Sequence, residues 1–476
     1  MKNRHLQQPP FQNNFSTVGS GEIISTTDNH AILVSLMVPV VMVIMNLTMF
    51  NIALPTIRDL YHIQAEVAAW MVTVYTIPFM VSMPLYGRLG DELGKRRLFF
   101  VGIAIFMIGT IVVLTANTLS QLMVGRAIQG VGSSGVVPLC MAIISQIFPP
   151  AERGRALGTW NSIGPVTGIV GPFIAGLLID YLSWRTIFGP ILVAGLAGAV
   201  VVQGKVPQEQ KVVHFHALRS FDWLGVALLG LGVTTTVFYL SSQVITGVAS
   251  LQDWRLLILA IVFFCAFIVW EKRHKDPYIA LSIFSNTTFS RASVCSAIRM
   301  FAMSSVGFLV PLYLTDVYNL SASLTGIILM LHAGALLGTM RLGGQLADRW
   351  SSRRPVLSGM SVQMVTMVLM AVLSVSTPVG LVLIVIIFHG LGAGLSLAAL
   401  HRASMSKIPR EQTGTAAGVY SMVRFGGNVL GPTVGGVILQ HGLDQSLLPI
   451  EAYHIVFWCI CGVMICGVLI GWKLYE

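Results

Sequence analysis

Gly158, followed 13 positions on by Gly171-Pro172-Phe173-Ile174-Ala175-Gly176, returns later in the chain as Gly418 and then Gly431-Pro432-Thr433-Val434-Gly435-Gly436 (171 − 158 and 431 − 418). Upstream, Gly130-Val131-Gly132 matches Gly390-Leu391-Gly392 at a shift of 260 (390 − 130). Further upstream, Gly87-Arg88-Leu89-Gly90-Asp91 matches Gly344-Gln345-Leu346-Ala347-Asp348 at a shift of 257 (344 − 87). Scattered glycines would not hold register over that distance, so the chain is a duplication. Both copies lie in strongly apolar sequence, and the repeated unit is therefore a bundle of membrane helices.

Composition agrees. With 55% hydrophobic and 10% charged residues and a mean hydropathy of +0.78, the chain lacks the polar surface of a soluble protein. Apolar runs of bilayer-spanning length recur at 31–55, 67–88, 98–116, 121–148, 156–180, 186–204, 224–243, 254–271, 290–315, 322–346, 356–376, 379–404, 413–440 and 452–473. Six helices with short loops need roughly 200 residues. An offset near 260 therefore leaves room for two further spans between the halves, namely 224–243 and 254–271. The expected fold is an all-α integral membrane protein of about fourteen helices. Its parts are a cytoplasmic tail (1–29), a six-helix bundle (30–204), a linker with two inserted helices (205–276) and a second six-helix bundle (277–476). Tandem halves of this kind are a recurring plan of secondary transporters.

The net charge of +10 does not point to nucleic acid, because the positive residues fall in alternate loops. They gather at Arg88 and Lys95–Arg97, at Arg153 and Arg155, at Lys205, Lys211 and Arg219, at Lys272, Arg273 and Lys275, at Arg349, Arg353 and Arg354, and at Lys407 and Arg410. That bias places those loops and both termini in the cytoplasm. The polar first 29 residues read as a retained, disordered tail. The six cysteines lie within apolar spans, where a thiol behaves as a small hydrophobe. Cys459 and Cys461 point to different helix faces, which disfavours a shared metal. No metal or cofactor is expected.

Several motifs in order carry a resemblance to the major facilitator superfamily, and within it to the fourteen-helix drug:proton antiporter group. Gly87 through Arg97 resembles the superfamily's loop signature between helices 2 and 3. Arg126-Ala127-Ile128-Gln129-Gly130 resembles its helix-4 arginine motif, and Gly164-Pro165 through Gly171-Pro172 to Gly176 its helix-5 antiporter motif. Asn51-Ile52-Ala53-Leu54-Pro55, Trp184-Arg185-Thr186-Ile187-Phe188 and Phe221-Asp222-Trp223-Leu224-Gly225 resemble marks of the fourteen-helix group. The resemblance implies a proton-coupled multidrug efflux antiporter of the inner membrane, working by alternating access. Its partners would be the lipid bilayer, a small-molecule substrate and protons, with a periplasmic adaptor as a further candidate.

Each motif has a physical reading of its own. Gly87 and Gly90 let helix 2 approach a neighbour closely. Asp91 and its counterpart Asp348, which precedes Arg349, can cap a helix end or pair with a cation. The resemblance makes these residues, with Arg97, a latch that holds one face closed; solvation and topology are the plainer account of the Lys/Arg cluster. Gly164, Gly168, Gly171 and Gly176 allow tight crossing, Pro165 and Pro172 loosen the helix, and Gly431 and Pro432 repeat the pattern. Arg126 lies early in its span, either snorkelling or facing a partner or cavity. The resemblance puts it near the proton or substrate path.

One departure changes the mechanism. Five residues before Asn51, where the resembled group carries an Asp, stands Asn46. Asn cannot hold a proton or pair with a cation. None of the nineteen Asp and Glu residues lies at the middle of a span. Arg299 and Arg424 do lie deep, as do His332 and His389. The superfamily's arrangement would place Asn46, Arg126, Arg299 and His389 around a central cavity. His could replace a carboxylate as proton carrier; Arg cannot, and suits an anion or carbonyl. Three readings stay open: a proton-driven exporter of drugs or metabolites, a transporter of anions such as a polycarboxylate metallophore or organic acid, and a non-transporting sensor on the same scaffold. No metalloprotease, nucleophile-elbow or nucleotide-loop motif supports an enzyme.

Overall fold

The computed structural model describes residues 26–148, 152, 156, 159, 160, 162–206, 221–274, 277–409 and 413–475. The tail before residue 26, Gly158, most of the linker 205–221 and the side chain of Asp91 lie outside the described residues.

The first half contains α1 (Thr26–Tyr61), α2 (Ala65–Leu93), α3 (Lys95–Leu114), α4 (Leu119–Ser133), α5 (Val136–Ile147), α6 (Ile163–Tyr181) and α7 (Phe188–Lys205). Two helices follow, α8 (Trp223–Leu240) and α9 (Trp254–Arg273). The second half contains α10 (Thr287–Tyr318), α11 (Ala322–Trp350), α12 (Arg353–Met370), α13 (Val379–Met405), α14 (Thr413–Asp444) and α15 (Pro449–Trp472). Among the described residues, 12 helices are long and apolar enough to cross a membrane. The stretches expected at 356–376 and 413–440 form α12 and α14, of 18 and 32 residues, but fall short of that apolarity.

The stretch 121–148, expected as one span, lies within a single membrane-length segment, Leu119–Ile147, which a turn at Ser134-Gly135 divides into α4 and α5. The Gly130–Gly135 segment is poor in helix formers, and a Cβ on Gly135 would strike the Tyr86 ring. Pro165 also departs from expectation. It sits in the first turn of α6, where a missing N–H costs nothing, so Pro172 is the proline inside that helix.

The two halves repeat one packing scheme. α1 packs on α6 and α7 as α10 packs on α14 and α15, and α4 packs on α2 and α3 as α13 packs on α11 and α12. Between halves, α6 meets α11 and α2 meets α14. The inserted pair is pinned by Asp222, which accepts hydrogen bonds from Gly225 N (2.8 Å), Trp270 Nε1 (2.7 Å) and Tyr278 N (3.2 Å). Tyr278 in turn donates to the Val81 carbonyl of α2 at 2.6 Å. Burial alone would raise the Asp222 carboxyl, but these donors outweigh it and hold its pKa below the usual range.

The interface between halves is not uniform. At the lysine-poor end, a Cβ on Gly176 would collide with the Ala322 carbonyl, and one on Gly436 would press on Ala69. Toward the lysine-rich end the α6–α11 crossing is looser. Gly168 meets only Ala333 at 4.0 Å, and Gly334, Gly338, Gly418 and Gly426 would meet nothing within 4 Å.

Candidate functional site

Arg126 is held inside the first half by residues one helical turn apart on three helices. It bonds the Met71 carbonyl through Nε (3.3 Å), and Asn46 Oδ1 (3.3 Å) and Gln129 Oε1 (2.9 Å) through Nη1. Its guanidinium carbon stands 3.9 Å from the Phe50 ring centroid and 4.4 Å from that of Tyr75. The pairs Asn46 and Phe50, and Met71 and Tyr75, are four apart and share a helix face. Gln129 is oriented by its bond to Thr110 Oγ1 (2.9 Å), and Tyr75 by Ser133 (2.8 Å). Every partner is neutral, and the arginine is 1% exposed. Asn46 and Arg126, expected around a central cavity, bond each other inside a closed aromatic box. The Asn46 amide nitrogen has no hydrogen-bond partner.

The second half carries a matching polar core. His332 Nε2 lies 3.1 Å from His389 Nδ1, and His389 Nε2 lies 3.3 Å from Gln363 Nε2. The Gln363 carbonyl oxygen is buried without a partner. One turn beyond His389, the Ala393 carbonyl accepts from Arg299 Nε at 3.0 Å. Arg299 also stands within electrostatic reach of Arg424 and Tyr420. Arg424 lies 4.9 Å from the Phe425 ring, with its Nε unpartnered.

The repeat explains the match. Tyr75 and His332 are 257 apart (332 − 75), and Gln129 and His389 are 260 apart (389 − 129). A Cβ on Gly130 would hit the Tyr75 carbonyl, as one on Gly390 would hit that of His332. The same close crossing therefore seats a Tyr/Gln pair in one half and a His/His pair in the other.

The loop residues divide. A Cβ on Gly90 would press on Leu139, as expected of a close approach, whereas Gly87 faces open space. Arg97 and Arg349 are exposed. Asp348 pairs with Arg402 Nε at 3.2 Å, and Arg402 also donates to the Ala347 carbonyl (2.9 Å) and Ser352 Oγ (3.2 Å). Sequence reasoning missed Arg402, although its place at the end of a span was a signal. Arg353 lies over Trp472 (4.9 Å) and Arg354 over Trp350 (5.6 Å). In the helix-5 motif, Gly171 packs on Thr48 and Gly164 on Ile44 of α1, while Gly176 and the Pro172 carbonyl face α11. Gly431, beside Pro432, packs on Ser304 of α10. Gly307 of α10 admits Asn51 of α1 between the halves. Among the described residues no three His, Cys, Asp or Glu could hold a metal ion.

Residues 36–432 and 292–476 match the sequence profile described as Major Facilitator Superfamily. The chain is 27% identical over 386 residues to Multidrug resistance protein 3 of Bacillus subtilis (strain 168), covering 80% of this chain and 73% of that one. It is 26% identical to the Riboflavin transporter RibZ of Clostridioides difficile (83% and 84% covered). It is also 26% identical to the Tetracenomycin C resistance and export protein of Streptomyces glaucescens (86% and 75% covered). Among solved structures, a D-xylose-proton symporter superposes with a TM-score of 0.70 at 12% identity, covering 94% of this chain and 98% of that one.

Proposed function

The chain belongs to the Major Facilitator Superfamily and is a secondary transporter of small molecules across a membrane; from that premise we propose that it exports anionic or polar neutral compounds from the bacterial cytoplasm, driven by protons. One observation carries the cargo class. Arg126 and Arg299 are buried at 1% and 3% exposure, Arg424 lies within electrostatic reach of Arg299, and no carboxylate among the described residues is hydrogen-bonded to any of the three. A desolvated cation without a counter-charge is costly, so an arriving anion offsets a cost that the fold leaves standing.

The orientation puts both termini and the Lys/Arg-rich loops in the cytoplasm. Export is supported by the helix-5 motif and by relatives named for resistance and export. The pair α8 and α9, pinned through Asp222, supports membership of the fourteen-helix antiporter group. In this reading Asn46, Arg126, Arg299 and Arg424 set the field of the path. His332 and His389 carry the proton, and Gln363 can turn its free oxygen toward a second imidazole N–H. Asp348 with Arg402 serves as the cytoplasmic latch. Efflux of lipophilic drugs is the second reading, favoured by the relatives' names and by the Phe79–Phe425 contact between halves (4.9 Å).

The test uses cells lacking their own exporters, challenged with ethidium-like cations and assayed separately for citrate-type anion flux. We expect anion flux that Arg299→Ala and Arg424→Ala abolish. Cation resistance that survives both substitutions would overturn the anion reading.

A further inference from the structure

At the lysine-poor end, three polar contacts among the described residues tie one half to the other, and two of them follow the internal repeat. On the axis, Arg58 at the end of α1 forms two parallel bonds to Asp316 at the end of α10, Nη1 to Oδ2 at 2.8 Å and Nη2 to Oδ1 at 2.6 Å. Their separation of 258 residues is one more than the offset of 257 that holds at this end (322 − 65). Asp316 is thus the counterpart of Asp59 (316 − 59), and Arg58 reaches it across the pseudo-twofold from the neighbouring position. Tyr453 also donates to Asp316 Oδ2 at 2.7 Å.

The other two contacts are copies of one another. Asp180, in the last turn of α6, accepts from the backbone N–H groups of Ala322 (3.1 Å) and Ser323 (2.8 Å), which open α11. Gln440, near the end of α14, accepts through Oε1 from the backbone N–H of Ala65 (3.0 Å), which opens α2. Asp180 and Gln440 differ by 260 positions (440 − 180), and Ala65 and Ala322 by 257 (322 − 65). The first N–H groups of a helix have no acceptor within it. Gln64, which precedes α2, supplies no side-chain cap. Each half therefore completes a helix start that belongs to the other half.

The chemistry of the two caps differs for a reason. Glu66 lies in the first turn of α2, 2% exposed, and a carboxylate at 440 would crowd it with like charge. The equivalent of Glu66 in α11 is Ser323 (323 − 66 = 257), so there Asp180 meets no such neighbour. Gln440 is held in orientation by its Nε2 bond to Asp444 Oδ1 at 2.8 Å.

We infer that Asp180 and Gln440, acting as caps in trans on either side of the Arg58–Asp316 pair, are the gating residues of this face, and that these bonds must break for it to open. The inference rests on the transporter reading above. The looser α6–α11 crossing toward the opposite end fits a molecule closed here and parted there.

The probe is Thr433→Cys, a position 2% exposed whose hydroxyl meets Thr73 across the interface at 3.0 Å. A membrane-impermeant maleimide is applied to intact cells and to inside-out vesicles. We expect Asp180→Ala, Gln440→Ala and Arg58→Ala each to raise labelling from outside by about tenfold and to lower it from inside, since weakening one state shifts population to the other. The exchange Arg58→Asp with Asp316→Arg should return both rates toward those of Thr433→Cys alone. A general loosening would raise labelling from both sides and would overturn the inference, as would unchanged labelling in all three variants with normal membrane levels. The same reciprocal shift with the two sides exchanged would leave the gate standing and overturn the orientation.

Discussion

Arg126 Nη1 stands 3.3 Å from Asn46 Oδ1, an arginine facing an amide at the position where the resembled group carries an acid. The remaining neighbours are a carbonyl, a glutamine and two aromatic rings. Ring faces and carbonyl oxygens ease the burial of a guanidinium, but they leave its charge uncancelled. On the function proposed above, the field that reaches the interface is positive on this side, and Arg299 and Arg424 add to it on the other.

Asn46→Asp should reverse that field locally. A carboxylate at hydrogen-bond distance from Arg126 ionises and pairs with it. We expect anion flux to fall by about tenfold, equivalent to about 1.4 kcal/mol, with a matching gain for cationic cargo. Counterflow assays with one anionic and one cationic compound measure the ratio. An unchanged ratio would show that Asn46 does not set charge preference.

His389→Asn should separate binding from coupling. The asparagine can keep a bond toward Gln363 or His332 but cannot take up a proton. Cargo exchange without a gradient should persist, and accumulation driven by a pH gradient should be lost. Uphill transport at the parental rate would place the coupling proton elsewhere.

Asp348→Asn tests the latch against plain solvation. The Asp348–Arg402 pair is solvent-exposed, with side chains 72% and 43% accessible, so its loss should change stability by less than about 1 kcal/mol. Transport should nonetheless fall severalfold. Parental transport with parental thermal stability would leave the pair a surface feature only.

Asp222→Ala should detach the inserted helices from α2. Three donors lose their acceptor in a buried setting, a cost of about 3 kcal/mol. The carboxyl's folded pKa is depressed. Its contribution is therefore fully present above the ordinary Asp range and is lost as pH falls through that lower value. Thermal unfolding in detergent should show the Asp222→Ala deficit at neutral pH, and the deficit should shrink as acid protonates the parent. A constant deficit down to strongly acidic pH would contradict this.

Much of the architecture was legible in the chain because it rests on local signals. Apolar run length gives the spans, glycine register gives the duplication, and the surplus in the offset gives α8 and α9. The replacement of an acid by Asn46 and the depth of Arg126 were legible too, but not that the two bond each other. Other features were not. Hydropathy could not show the turn at Ser134-Gly135, where Gly135 leaves room for the Tyr86 ring of α2. It could not choose between Pro165 and Pro172, because their effects depend on where α6 begins.

What the sequence determined by itself is the set of helices, their duplication and the charge carried at each depth, all of which follow from backbone hydrogen bonding and from the length of a bilayer. What only the tertiary structure decided is which polar group meets which. His332 finds His389, Asp348 finds Arg402 and not its nearer arginines, Arg126 is closed in by Phe50 and Tyr75, and Asp180 and Gln440 cap helices of the opposite half. The physical reason is that lipid and a neighbouring helix are equally apolar. The pattern along one helix therefore cannot tell which of its faces meets protein, and pairings between distant residues are fixed only when the helices pack.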